Sequence, residues 1–243
     1  MNQFKIIGYY ISEVIDMPRY LKKLGERLLS VSSCLGEMHP KLECCFVNAW
    51  SDEEKRAYRI RMKLSEGQYA DYMKTVQDLF ASRRLDSDCR FRNLWDAVDF
   101  YEKFCGAVPC CLVCVSTTSE YYEILSEEMA DGYDSRRIEG EPDENPLAGY
   151  DILGWDIGGF HSFLCNSLQE ELPEAVFNGM GLVGNAFDDA AGFARRIQGK
   201  GEPVEWIPCR VGMVRDLPRN VKDSASEIDN GDAFEMVNEA GTV

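Results

Sequence analysis

The sequence predicts an α/β protein of the α+β kind, with a mixed, partly antiparallel sheet flanked by helices and divided into two lobes. Three observations lead there. Short apolar runs rich in β-branched and aromatic residues recur at 4–11, 110–116, 150–157 and 204–214, the signature of buried strands. Between them, apolar residues return at helical spacing, leaving charged residues on the opposite face. The stretch from Asp131 to Pro146 holds six acidic residues, two arginines and almost nothing apolar, as a solvated connection does. The expected division is residues 1–130, an N-terminal α/β domain; 131–147, an acidic linker or loop; 148–215, a C-terminal β-α-α-β unit; and 216–243, an acidic tail too poor in apolar groups to pack.

Each element has its own warrant. Phe4 to Ile11 is a compact strand-like run. Asp16 offers a cap and Pro18 suits a first helical turn; Met17, Tyr20, Leu21, Leu24 and Leu28 follow at helical spacing and predict a helix. Leu42 to Trp50 predicts a second strand. Tyr58, Ile60, Met62 and Leu64 alternate with Arg59, Arg61 and Lys63, which predicts a third strand with one basic face. Ser51 to Glu54 then reads as a hairpin connection. Helical stripes follow at Tyr69, Tyr72, Met73, Val76, Leu79 and Phe80, and at Leu94, Trp95, Val98, Tyr101 and Phe104. Cys110 to Ser116 predicts a buried strand, and Ser119 opens a helix through Tyr122, Leu125 and Met129. Beyond the acidic stretch come a strand at Tyr150 to Ile157, a short helix at His161 to Leu168, a helix at Phe187 to Ile197, and a strand at Val204 to Val214. Pro208 places that last strand at an edge or a bulge.

Bulk composition narrows the function. With 42 acidic against 26 basic residues, the net charge is -16. Such a field repels nucleic acid and anionic lipid and speeds association with cationic proteins; solubility alone is the plainer use of the same charge. No stretch approaches the ~20 apolar residues of a membrane span, and the first residues carry no long apolar run of a secretory signal. A cytoplasmic protein is the expectation. The ten cysteines sit mostly in apolar runs, such as Cys44-Cys45 and Cys110-Cys111, and read as reduced, buried thiols.

Chemistry-bearing patterns are few. Cys111 and Cys114 have metal or redox spacing, but on a strand they point to opposite faces, so packing is expected and no metal or other cofactor is implied. Arg59, Arg61 and Lys63 are too few to grip nucleic acid in so negative a field and suit internal ion pairs. The densest candidate runs from Gly149 to Asn166. On a helix, His161 and Cys165 would share a face, with Asp156 or Asp151 orienting the imidazole. That is a thiol nucleophile with its base, as a hydrolase or transferase would use. Against this, Cys165 lies away from the helix start among Phe163, Leu164 and Leu168. The competing reading is a binding surface. Trp155 and Phe160 would form an exposed anchor on the Gly158-Gly159 turn, joined by Asp156 and by Asp143 and Glu144 of the acidic stretch.

The strings Gly149-Tyr150-Asp151, Ser162 to Asn166, Asp188 to Ala191 and Glu205 to Pro208 resemble a group of small uncharacterised bacterial proteins, some of them immunity proteins of toxin systems. The resemblance covers residues 149–214 only. It implies an inhibitor that covers a basic, toxin-like protein partner without chemistry of its own, and it carries no catalytic residue. Binding is thus the expected function, and a Cys/His thiol enzyme the alternative. A subunit that docks through an apolar patch is a third reading, which the sequence does not separate from the first.

Overall fold

The computed structural model describes residues 3–32, 51–130, 143–156, 159–172, 176–184 and 186–216. The predicted strand at Leu42 to Trp50, most of the acidic stretch (131–142) and the tail beyond residue 216 lie outside the described residues.

The fold is α+β, built on a curled antiparallel sheet. Its strands are β1 (Phe4–Glu13), β4 (Cys110–Thr118), β5 (Leu147–Asp156), β6 (Gly159–Ser162) and β7 (Ile207–Arg215), in the order β1-β4-β7-β5-β6. All four pairings are antiparallel, where a mixed sheet was expected. One sheet therefore draws strands from both segments expected to form separate lobes, and β7 joins them by lying between β4 and β5. Pro208 is accordingly not on an edge strand. The ladder from β7 to β4 begins only at Arg210, and Thr117 Oγ1 donates to the Pro208 carbonyl at 2.7 Å, so the proline lies just past the last β4 pair. The sheet curls until its ends approach: Tyr10 of β1 and Phe160 of β6 have ring centroids 6.1 Å apart.

Both faces are covered, which explains why β4 is apolar from Cys110 to Val115. Cys110, Leu112 and Cys114 face a core shared with three helices, α1 (Asp52–Arg61), α2 (Glu66–Ala81) and α3 (Leu94–Phe104). Cys111, Val113 and Val115 face the inside of the curl with Ile7, Tyr10, Leu153, Phe160 and Cys209, and with Leu125 of α4 (Ser119–Ala130). A third apolar group lies under α5 (Phe187–Ile197), where Phe193 and Trp206 pack with Ile152 of β5 and Phe163.

Three local predictions are corrected. Residues 52–61 form α1 and not a strand: Ser51 accepts from the Glu54 amide while the Glu54 carboxylate accepts from the Ser51 amide, a capping box that starts a helix. On a helix, Ile60 turns outward and is 60% exposed, and the expected basic strand face does not exist. Residues 15–28 form no long helix. Two short strands, β2 (Ile15–Asp16) and β3 (Arg27–Leu28), pair around a 3-10 turn at Arg19–Leu24, with Gly25 at φ 143° ending it. His161 belongs to strand β6, and the expected helix after it is two 3-10 turns, Phe163–Asn166 and Leu168–Glu171.

Candidate functional site

The Cys/His pair dissolves on the strand. The i, i+4 argument needs a helix, and His161 is paired with Gly154 in the β5–β6 hairpin. Its Nδ1 lies 3.1 Å from Glu202 Oε2, out of hydrogen-bond alignment. Cys165 Sγ lies instead 3.0 Å from Ser32 Oγ. Asp156 closes the hairpin opposite Gly159. Three buried thiols of the sheet are poor nucleophiles. Contact with Cys105 and burial raise Cys110, burial raises Cys114 with Asp143 adding to it, and burial raises Cys209 with Asp151 adding to it; a reactive thiol needs the opposite shift. Among the described residues seven cysteines are free thiols, and Cys111 and Cys114 do point to opposite faces.

The expected contact residues scatter. Phe160 is fully buried, edge-on to Trp155 at 5.2 Å, so it anchors the sheet and not a partner. Trp155 and Asp156 are half-buried at one end of β5. Asp143 and Glu144 lie before its other end. Asp143 is spent on the fold: its side chain is fully buried against Arg210 and accepts from Ser116 Oγ at 2.6 Å and from Asn145 Nδ2 at 2.8 Å. Glu144 alone of that pair is exposed.

The surface that stands out is the groove between α2 and α3. It is a cleft of about 410 Å³ whose lining includes Asp78, Leu79, Arg84, Asp96, Asp99 and Lys103. Its basic residues are already committed: Arg84 pairs with Asp96 at 2.7 Å and Lys103 with Asp71 at 2.6 Å. Asp78 takes Lys74 at 2.5 Å. Asp99 is exposed and has no ion pair among the described residues. One helical turn before it on the same face, Trp95 stands 76% exposed. The sequence reading placed Trp95 in the α3 core stripe. That stripe runs through Ala97, Val98, Phe100, Tyr101 and Phe104, and Trp95 lies off it, on the side of α3 opposite Phe104.

No protein-family model matches the chain, and no curated protein or solved structure matches it either.

A second constellation is interior, inside the curl of the sheet. Asp151 of β5 is buried, and its carboxylate accepts from Ser162 Oγ of β6 at 2.8 Å, from the Ile152 amide at 2.8 Å and from Ser30 Oγ at 3.3 Å. Ser30 and Ser32 are themselves buried and linked, the Ser32 amide donating to Ser30 Oγ at 3.2 Å and the Ser162 amide to Ser32 Oγ at 3.3 Å. Burial pushes the Asp151 carboxyl up to about 7, and the three donors hold it back from rising further. Among the described residues no cation pairs with it. Here too none forms a cluster able to hold a metal ion, and no helix is long and apolar enough to cross a membrane.

Proposed function

We propose that this chain is an acidic binding protein that docks on a basic protein partner, in the manner of an immunity protein or inhibitor, through the α2–α3 face. The observation that carries this is Trp95, 76% exposed one helical turn from Asp99, a cleft carboxylate with no ion pair among the described residues. A large aromatic left in water costs free energy that a partner's surface returns, and such residues dominate interface energetics. A lysine or arginine of the partner would find the Asp99 carboxylate and the Trp95 ring within one helical turn, combining charge pairing with cation–π attraction. The net charge of -16 adds long-range steering. The resemblance of residues 149–214 to immunity-like proteins points the same way. The thiol-enzyme reading has no such support, since His161 and Cys165 contact different neighbours.

The test is binding of the purified protein to a panel of cationic proteins, including nucleases, at low and high salt. The expected result is tight binding of at least one that weakens with salt, together with a loss of about 2 kcal/mol in Trp95→Ala. If no cationic protein binds even at low salt, the reading fails.

A further inference from the structure

The Asp151 cluster sits where three pieces of chain meet. Asp151 belongs to β5, Ser162 to β6, and Ser30 and Ser32 to the buried segment 29–32, whose hydroxyls reach both strands. Leu29 and Val31 are buried in the inner core; Ser12 Oγ donates to the Ser30 carbonyl at 2.6 Å, the Leu29 amide donates to Met180 at 3.1 Å, and Ser32 Oγ lies 3.0 Å from Cys165 Sγ. The Ser30 hydroxyl bonds Asp151 directly, and Ser32 Oγ connects to it through Ser162. We propose that Asp151 is a proton-operated latch: its neutral carboxyl keeps segment 29–32 closed over β5 and β6, and its ionisation favours an open form in which water reaches the charge.

The argument is one of charge without compensation. A buried carboxylate is tolerated when a cation faces it; hydroxyls and one amide soften the loss of hydration without cancelling it. The titratable groups on this side of the packed elements are Cys209 opposite Asp151 on β7, Cys111 on β4, Tyr10 on β1 with Asp88, Asp86 and Arg90 beyond it, Tyr122 on α4, and Cys165 beside Ser32. The groups nearest Asp151 are thiols and phenols, and the Arg90 guanidinium is held by Asp86 at 2.6 Å and does not pair with Asp151. In an open form the carboxyl returns to its ordinary value of 3.8, against about 7 when closed. By linkage the closed form is fully favoured below the ordinary value. The opening constant then rises about tenfold per pH unit between the two values and levels off above about 7. This device is independent of the binding surface on α2 and α3.

Amide hydrogen exchange, corrected for the intrinsic pH dependence of exchange, reads the latch directly in the wild-type protein and in Asp151→Asn. The expected result is that protection of the amides of residues 29–32 falls by about tenfold per unit from pH 5 to 7 in the wild type, while Asp151→Asn shows no such fall. An unchanged slope in Asp151→Asn overturns the proposal, as does a flat wild-type profile. Should Asp151→Asn fail to fold, a carbon-13 titration of the Asp151 carboxyl in the wild type decides: a midpoint near that of a free aspartate overturns the latch, and one near neutrality supports it. Ser30→Ala, which cuts one tie and leaves the carboxyl, should lower protection at every pH and keep the slope.

Discussion

Asp86 and Asp151 are both buried carboxylates, and the chain satisfies them in opposite ways. Asp86 faces Arg90, whose Nε donates to it at 2.6 Å, while its other oxygen accepts from the amides of Asp88 and Arg90 at 3.0 Å each. Tyr10 OH completes the group by donating to Asp88 at 3.0 Å. The Arg90 side chain passes close over Gly8, just after the β1 bulge between Ile6 and Gly8, where a Cβ would lie 2.4 Å from Arg90 Cγ. Burial alone would lower the Arg90 pKa, but Asp86, with Tyr10 and Asp88, raises it overall. Asp151 has three donors but, among the described residues, no cation, and its charge is negotiable near neutral pH. The difference teaches that the count of hydrogen bonds does not set a buried acid's behaviour; the sign of its nearest formal charge does.

Removing the cation is the strongest way to break the comparison. Arg90→Met should cost about 3–5 kcal/mol, because Asp86 and Asp88 stay buried without their guanidinium; urea unfolding at pH 7 measures it. If the loss is no larger than that of a surface substitution, the pairing account is wrong. Arg210→Ala is intermediate. Asp143 loses its guanidinium but keeps Ser116 and Asn145 as donors, so about 2 kcal/mol is expected in the same assay.

Ser162→Ala sharpens the other side. It removes a donor to Asp151, so the folded carboxyl titrates higher than about 7. A folded value raised above the unfolded one means stability is full below the unfolded value and is lost as pH rises through the folded value. Ser162→Ala should therefore lose about 1–2 kcal/mol at pH 8 and less at pH 5, where the carboxyl is neutral in both proteins. Equal losses at both pH values would show that the hydroxyl matters to packing and not to charge. The smallest effect is expected at Lys74→Ala, whose pair with Asp78 is solvent-exposed on both sides; its thermal and urea unfolding midpoints should match those of the wild type.

Much of the fold was legible where sequence pattern and burial coincide. The continuous apolar run at Cys110 to Ser116 could only be a strand covered on both faces, and the stripes of α2 and α3 named most of the residues that now pack around Tyr72. Legibility failed where two periods fit the same letters. Tyr58, Met62 and Leu64 are buried in either reading, and only the capping box at Ser51 and Glu54 tells the helix from the strand. The candidate site was less legible. Trp95 differs from a core residue only by its angle around α3, and Asp151 looks like any polar residue of a strand until Ser30, far away in sequence, is brought onto it. The alternation of Leu29, Ser30, Val31 and Ser32 was a signal, but all four are buried, so alternation did not mean one wet face.

The central place of β7 also governs how the molecule can be made. Its partners are separated along the chain: β1 with β4 is one half-sheet, β5 with β6 the other, and Ile207–Arg215 is the zipper between them. During synthesis the two halves emerge first and wait, each with an open edge, until a late stretch arrives to insert into the gap. Closure is thus a late, long-range event, and a nascent chain stopped short of Ile207 has two half-sheets and no strand to pair them.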